Sequence, residues 1–176
     1  VGHKYADLSD HDYGVALLND CKYGYMVQDN ILDLNLLRSP TNPDPDADMG
    51  VHSFTYSLFP HCNDLIHSDT IRESVCLNQG PVLIDGVQSS AVNIPVKLSG
   101  EGLELSVLKK AEKEDCLIVR IVETHGRKSK GFLIVEGLLT ECDLVEWENL
   151  SEPLQVQGKL RISLNPFEIK TYKIEL

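Results

Sequence analysis

Residues 159–164 read Lys-Leu-Arg-Ile-Ser-Leu, with an apolar side chain at every second position. A period of two is typical of a β-strand that buries one face and exposes the other to water. Further apolar segments with the length of strands surround this one, separated by residues that favour turns. They are 103–108, 117–122, 132–135 and 169–176. The spacing predicts a small β-sandwich in the last part of the chain.

The first part of the chain also predicts strands. Segments 13–18, 23–27 and 31–37 are apolar, and turn-forming residues separate them, Asn19-Asp20 in one case and residues 28–30 in the other. Short apolar runs joined by such turns favour strands that pair with their neighbours in sequence. We therefore expect a three-stranded meander here.

Residues 52–59 alternate three apolar side chains, Phe54, Tyr56 and Leu58, with small polar ones. The pattern predicts a strand that buries these three side chains. Because proline lacks a backbone donor, we expect the strand to end at Pro60.

One short helix is expected between residues 63 and 80. Thr70 and Glu73 have the spacing of a capping box, in which each side chain bonds a backbone N–H at the start of a helix. Gly80 is a natural stop. The predicted fold class is therefore all-β, made of β-sandwich domains with one short helix.

The stretch Ser99-Gly100-Glu101-Gly102 has the composition of a linker and follows the apolar, β-branched segment 82–98. We place a domain boundary near Gly100. Residues 1–100 then form one β domain, and residues 101–176 form a second with its own core.

The composition of the chain argues against some classes of function. With 42% apolar and 24% charged residues, the 176-residue chain can bury a real core. Its net charge of −11 repels a phosphate backbone, so nucleic acid is not an expected partner. No apolar run has the length of a membrane-spanning helix, and no membrane association is expected.

The cysteines and the first residue bear on the compartment. The five cysteines are an odd number and form no C-x-x-C pair, which predicts small buried side chains in a reducing compartment, the cytoplasm. The chain starts at Val1 without a charged and apolar leader, so we expect no secretion signal and regard the chain as a piece of a longer protein.

The residues alone indicate no reaction. Nucleophile-elbow, P-loop and metalloprotease motifs are missing from the sequence, so no catalytic centre is expected within it. The loop at 39–51 is the most informative segment, because its 13 residues include three prolines. Loops of that length usually line a site or make a contact. Its aspartates do not have the spacing of a calcium loop, so a solvated acidic loop is the alternative.

Trp147 is the chain's single tryptophan, and acidic residues flank it. An exposed indole beside carboxylates suits sugar binding, because the ring stacks on C–H groups while the carboxylates accept hydroxyl protons. The commoner interpretation is a partly buried ring beside a solvated acidic face. The flanking acids are Glu141, Asp143, Glu146, Glu148 and Glu152.

Several blocks of the sequence together resemble a known family. The longest runs from Tyr13 to Tyr25 and reads Y-G-V-A-L-L-N-D-C-K-Y-G-Y. The others are D-L-S at 7–9, L-L-R-S-P at 36–40, P-D-P at 43–45, A-D-M-G at 47–50, L-K-K-A-E at 108–112, L-I-V-R at 117–120 and N-P-F-E-I at 165–169. These blocks resemble the C-terminal β region of the α-mannosidases of glycoside hydrolase family 38, in the branch with cytosolic and bacterial enzymes. Two departures are Tyr5 in place of tryptophan and Val51 in place of arginine.

This resemblance implies a retaining exo-α-mannosidase that acts on terminal α-mannosides. A retaining glycosidase needs two carboxyl groups about 5 Å apart, a nucleophile and an acid/base. In the family, the nucleophile and the ligands of a zinc ion belong to an N-terminal α/β barrel, and none of those motifs occurs in this chain. We therefore expect zinc in the full-length enzyme, with its N-terminal catalytic and helical domains as partners. The chain alone is expected to be inactive.

For the site, the resemblance implies that a loop from the first β-sandwich helps to close the sugar pocket. The matching residues are Asp48, Gly50 and His52, with Arg38 near the base of the loop, as substrate-binding residues. Gly50 is expected to adopt a backbone conformation that a side chain would disfavour. No catalytic residue and no metal ligand are expected in this chain.

A second function class stays open: a non-enzymatic carbohydrate-binding or interaction module. An exposed aromatic platform would favour such a module, whereas a large apolar face left by missing strands would favour a fragment of an enzyme. A homo-oligomer is compatible with either reading.

Overall fold

The computed structural model describes residues 1–86 and 94–176, which form two compact units, Val1–Gly86 and the residues from 94 onward. The first unit contains β1 (Tyr5–Ser9), β2 (Tyr13–Asn19), β3 (Gly24–Gln28), β4 (Ile31–Asn35), β5 (Tyr56–Cys62) and α1 (Thr70–Asn78). The second contains β6 (Val96–Ser99), β7 (Leu103–Lys110), β8 (Leu117–Glu123), β9 (Ser129–Cys142), β10 (Leu154–Leu164) and β11 (Ile169–Glu175). The predicted all-β class is confirmed. No helix in these two ranges is long and apolar enough to cross a bilayer.

In the first unit, β2 is the centre of a three-stranded antiparallel sheet with the order β1-β2-β5, and β3 and β4 form a separate hairpin. The predicted meander is therefore wrong, although its three strands exist. The reason is that β1 and β5 occupy both edges of β2, which leaves no edge for β3.

Strand β5 differs from the prediction in its bounds and in its buried face. It starts at Tyr56 and continues through Pro60, which an edge strand tolerates because only one of its sides must pair. Tyr56 and Leu58 are 56% and 65% exposed, whereas His61 on the opposite face is buried. The prediction of a buried Phe54, Tyr56 and Leu58 face is therefore wrong for the two residues that lie in the strand.

The predicted helix is present, with a different cap. Its N-cap is Asp69, whose side chain makes no capping hydrogen bond, and Thr70 is the first helical residue. Thr70 is fully buried, and its hydroxyl accepts a hydrogen bond from Ser68 Oγ at 2.8 Å. The predicted Thr70–Glu73 capping box is wrong. A short 3-10 turn, Leu65–His67, precedes the helix.

All five predicted strands of the second unit are present, and β9 and β10 are longer than their apolar segments. The sheet runs β10-β9-β11-β8-β7, and β6 pairs with β9. Strand β9 pairs with β6 before Gly137 and with β11 from Leu138. Gly137 has φ +140°, and a Cβ there would lie 2.2 Å from the Glu175 carbonyl oxygen, so a side chain does not fit at this change of partner.

The two units differ in their cores. In the first unit the buried apolar side chains are Ala16, Leu17 and Leu18, a small number for 86 residues. The second unit has a continuous core, to which every strand from β6 to β11 except β7 contributes a fully buried residue. Its members are Val96, Val119, Ile121, Leu133, Val135, Leu139, Val156, Ile162, Leu164, Tyr172 and Ile174.

The domain boundary near Gly100, between residues 1–100 and 101–176, stays a prediction. Strand β6, which precedes Gly100, pairs with β9 of the second unit. Of the apolar segment 82–98, residues 87–93 lie outside the described residues, and residues 81–86 form no strand.

The cysteines only partly follow the prediction. Cys116 and Cys142 are buried, and burial raises the pKa of both thiols. The other three, Cys21, Cys62 and Cys76, are exposed, so the expectation of buried side chains is wrong for them. All five are free thiols.

Candidate functional site

The loop between β4 and β5 is closed on itself by Asp48. The Asp48 carboxylate accepts a hydrogen bond from the Ser39 backbone N–H, with 3.1 Å between Oδ2 and the nitrogen. Its carbonyl oxygen lies 2.7 Å from His52 Nε2. One residue therefore joins the start of the loop to the end, and the exposed loop has a defined shape.

Three residues of the loop have backbone angles in the left-handed region. The φ angles are +45° at Ser39, +61° at Asp48 and +133° at Gly50. A Cβ on Gly50 would meet no atom within 4 Å. Space is therefore no obstacle to a side chain at Gly50, and the positive φ is what favours glycine there.

The other aspartates of the loop build its turn. Asp44 Oδ1 accepts from the Asp46 N–H at 3.0 Å, and the Asp46 carbonyl accepts from the Met49 N–H at 3.1 Å. Within residues 1–86 and 94–176, no group of three His, Cys, Asp or Glu side chains is arranged to hold a metal ion. The described residues therefore do not fit a zinc or a calcium site.

The contact of His52 determines which ring nitrogen is available. A carbonyl oxygen can only accept, so Nε2 must carry the hydrogen that it donates to Asp48. In the neutral ring, Nδ1 is then an acceptor, and it has no partner among the described residues. An exposed imidazole held in this way can accept a hydrogen bond from a hydroxyl group.

Arg38 immediately precedes Ser39 and is exposed. Its guanidinium makes no ion pair with the side chains of residues 1–86 and 94–176, so its donors are open to a ligand. The hydrogen bonds bring Asp48 and His52 together, whereas only the chain links Arg38 and Gly50 to them.

Sequence reasoning missed Asp20, which holds the end of the loop, and Asn19, which precedes it and supports it. The sequence predicts only a turn at Asn19 and Asp20, yet Asp20 binds both backbone polar groups of Thr55, 35 residues away. Asn19 is 1% exposed, and its side-chain oxygen accepts from the Cys21 N–H at 3.0 Å. Asn and Asp tend to bond backbone groups in turns, and this tendency could have indicated that the two side chains are engaged. It does not predict which distant residue they bond.

Trp147 in the second unit is 69% exposed, so the expectation of a partly buried ring is wrong. The Lys113 ammonium group lies 4.3 Å from the ring centroid. The acids beside it are engaged within the protein: Glu146 pairs with Lys109 at 3.0 Å and with Arg120 at 3.2 Å. Three of the five flanking acids have such partners, Asp143 through the Trp147 and Glu148 N–H groups and Glu141 through Lys170.

Comparison with known proteins matches both units. Residues 1–46 match the family model for the glycosyl hydrolases family 38 C-terminal domain, and residues 102–172 match that for the family 38 C-terminal beta sandwich domain. Alpha-mannosidase G of Dictyostelium discoideum is 37% identical over 98% of this chain and 17% of its own length. Alpha-mannosidase 2C1 of Mus musculus is 34% identical over 99% of this chain and 18% of its own length. An alpha-mannosidase of Saccharomyces cerevisiae is 30% identical over 98% and 18%.

Proposed function

Because this chain belongs to the C-terminal β region of glycoside hydrolase family 38, we propose that it is part of a zinc-dependent retaining exo-α-mannosidase that hydrolyses terminal α-mannosides. The relatives named above are α-mannosidases, and the chain spans 17–18% of their length. The zinc ion, its ligands and the two reacting carboxyl groups are assigned to parts of the enzyme outside this chain.

Within that enzyme, this chain has a structural role. The small number of buried apolar side chains in the first unit supports this role, since such a unit gains stability from packing against further strands. Exposed apolar side chains on β5, Leu58 among them, are available for such packing. We assign the protein to the cytoplasm, and its five free thiols support that compartment.

The loop at 39–51 contributes to the sugar pocket, with a distinct task for each residue. Asp48 orients His52, and His52 Nδ1 accepts a hydrogen bond from a mannose hydroxyl. Arg38 donates to a mannose hydroxyl or to the ring oxygen of the sugar. Gly50 permits the bend of the backbone between Asp48 and His52. A loop that is already closed in the free protein loses less entropy when the sugar binds. The observation that carries this assignment is the 2.7 Å contact of His52 Nε2 with the Asp48 carbonyl, because it makes Nε2 the donor and leaves Nδ1 of the neutral ring as an acceptor.

Substitutions in the full-length enzyme test the assignment. We expect His52→Ala to lower kcat/KM by roughly twofold to a hundredfold at unchanged thermal stability, the effect of losing one hydrogen bond to substrate. Asp48→Ala keeps the carbonyl that contacts His52 but removes the acceptor of the Ser39 N–H, and we expect it to lower kcat/KM within the same range because the loop is no longer closed. A rise in KM alone indicates equal binding of substrate and transition state, and a fall in kcat indicates a contact made mainly in the transition state. Asp46→Ala is the matched control, because that exposed carboxylate has no partner in the described part of the chain. Wild-type kcat/KM in both site variants would show that the loop is only a connection.

The exposure of Trp147 favours a second candidate function, a non-enzymatic carbohydrate-binding or interaction module. The two functions differ in which unit a sugar contacts, the loop of the first or the indole of the second.

A further inference from the structure

We propose that Asp20 is a positioning residue that holds the end of the 39–51 loop and thereby orients His52. The proposal rests on the function proposed for that loop. It extends the site from residues proposed to contact the sugar to a residue directly after β2 whose carboxylate bonds the protein backbone.

The contact between Asp20 and Thr55 uses every polar group of the Thr55 backbone. The Thr55 N–H is shared between the two carboxylate oxygens of Asp20, at 3.0 and 3.1 Å. The Thr55 carbonyl accepts from the Asp20 N–H at 3.2 Å. Thr55 stands three residues after His52 and directly before β5, so Asp20 fixes the point at which the loop returns to the sheet.

Asp20 itself has a rigid support in Asn19. The Asn19 carbonyl accepts from Asn78 Nδ2 of α1 at 3.0 Å, and its backbone N–H donates to the Lys4 carbonyl at 2.9 Å. Its side chain bonds the Lys22 N–H and the Tyr25 hydroxyl. Bonds from three parts of the first unit therefore hold the residue next to Asp20.

Two further features strengthen the anchor. The Lys22 ammonium group lies 4.8 Å from the centroid of Phe54, the residue before Thr55, which adds a cation–π contact to the same segment. Hydrogen bonds from the Cys21 thiol and the Thr55 N–H hold the pKa of Asp20 below its ordinary value. The carboxylate is then a charged acceptor at neutral pH, and such bonds are stronger than neutral ones.

The opposite end of β2 provides a matched control. Asp10 Oδ1 accepts from the N–H groups of Asp12 and Tyr13, each at 3.0 Å, in the turn between β1 and β2. Asp10 and Asp20 are both exposed turn aspartates that bond backbone groups, and of the two only Asp20 bonds the segment that leaves the loop. A general loss of stability would affect the two alanine variants alike.

The first test uses the 176-residue chain and amide hydrogen exchange followed by NMR. In Asp20→Ala we expect exchange to accelerate roughly twofold to tenfold both at Thr55 and at Ser39, whose N–H reports the closed loop through Asp48. Asp20→Asn retains an acceptor oxygen and is expected to show a smaller acceleration; it also preserves the test if the alanine variant does not fold. Asp10→Ala should leave both amides unchanged. Unchanged exchange at Ser39 in an Asp20→Ala chain that has lost protection at Thr55 would overturn the proposal.

The second test uses the full-length enzyme. We expect Asp20→Ala to lower kcat/KM by roughly threefold to a hundredfold relative to Asp10→Ala, with partial rescue in Asp20→Asn, because displacing a binding group by a fraction of an ångström weakens its contact. If His52→Ala lowers kcat/KM and Asp20→Ala does not, the positioning role is wrong while the loop's function stands. If the exchange results hold and His52→Ala has no effect on kcat/KM, the anchor stands and the proposed function of the loop fails.

Discussion

The Glu123 carboxylate accepts a hydrogen bond from the Phe167 backbone N–H at 2.9 Å and so joins the turn after β8 to the turn before β11. Glu123 is fully buried, and it also accepts from the N–H groups of His125 at 3.0 Å and Gly126 at 2.9 Å and from Ser129 Oγ at 3.0 Å. Four donors satisfy this single charge, and no cationic side chain in residues 1–86 and 94–176 pairs with it.

Removing this carboxylate should destabilise the second unit. We expect Glu123→Ala to lower the free energy of unfolding of this unit by about 3 kcal/mol or more, because four donors, the buried Ser129 hydroxyl among them, lose their acceptor together. Urea denaturation at neutral pH measures the change. Glu136→Ala, which removes an exposed glutamate of β9, is the control and should change stability by less than about 0.5 kcal/mol. Equal effects of the two substitutions would contradict the structural role of Glu123.

The same contacts predict a pH dependence. Burial raises the pKa of Glu123, but the hydrogen bonds from Phe167, His125, Ser129 and Gly126 outweigh it and hold the pKa below its ordinary value. The folded state then favours the charged form, so the stabilisation is complete above the unfolded pKa of about 4.3 and is lost as pH falls through the folded pKa. The stability difference between the native protein and Glu123→Gln should therefore shrink in acid. A difference that is constant from neutral pH to acid would count against the charged network.

The second unit was largely predictable from sequence, and the first was not. Residues 159–164 alternate because one face of β10 packs on a continuous core, and a period of two reports that packing directly. In the first unit few residues are buried, so local pattern carries less information. His61 illustrates this, since it is buried only because Asp7 on β1 provides a partner at 2.7 Å and Gly14 on β2 leaves space.

The candidate site, too, was only partly predictable from sequence. Resemblance identified Asp48 and His52, whose bond spans four residues. The bond of Asp20 to Thr55 spans 35 residues and depends on β2 pairing with β5 rather than with β3. Neither periodicity nor turn composition encodes that choice of partner, because both describe only neighbouring residues.

Gly14 should not tolerate a side chain. A Cβ there would lie 2.4 Å from His61 Cε1 and 2.5 Å from Ser9 Cβ, and the buried His61 ring cannot retreat without losing its bond to Asp7. We expect Gly14→Ala to destabilise the first unit by about 1–3 kcal/mol, measured by thermal and urea unfolding. Gly80→Ala is the matched control, because its Cβ would meet no atom within 4 Å and its φ is not positive. Unaltered stability of Gly14→Ala would mean that β2 and β5 are not packed in this way.

The isolated chain should not hydrolyse an aryl α-mannoside, even with added zinc. The proposed function assigns the reacting carboxyl pair and the zinc ligands to other parts of the enzyme, and a retaining glycosidase requires both carboxyl groups. Release of the aryl alcohol by the purified chain is the measurement, with the heat-denatured chain as the control. Turnover above that control would require a catalytic pair within these 176 residues and would refute the assignment.

Trp147 decides between the two function classes, and as the only tryptophan it is its own fluorescent reporter. We expect the indole emission to resemble that of a water-exposed ring and to stay unchanged when methyl α-mannoside is added. Lys113 already lies over the ring, and three of the five flanking acids, Glu141, Asp143 and Glu146, bond groups of the protein, so few acceptors remain for a stacked sugar. Lys113→Ala frees the ring without altering those carboxylates, and it should leave the response to sugar absent. Two results together would instead establish the second unit as a sugar-binding module. One is a saturable change in emission in the native chain, and the other is sugar binding by calorimetry that is present in the native chain and lost in Trp147→Ala.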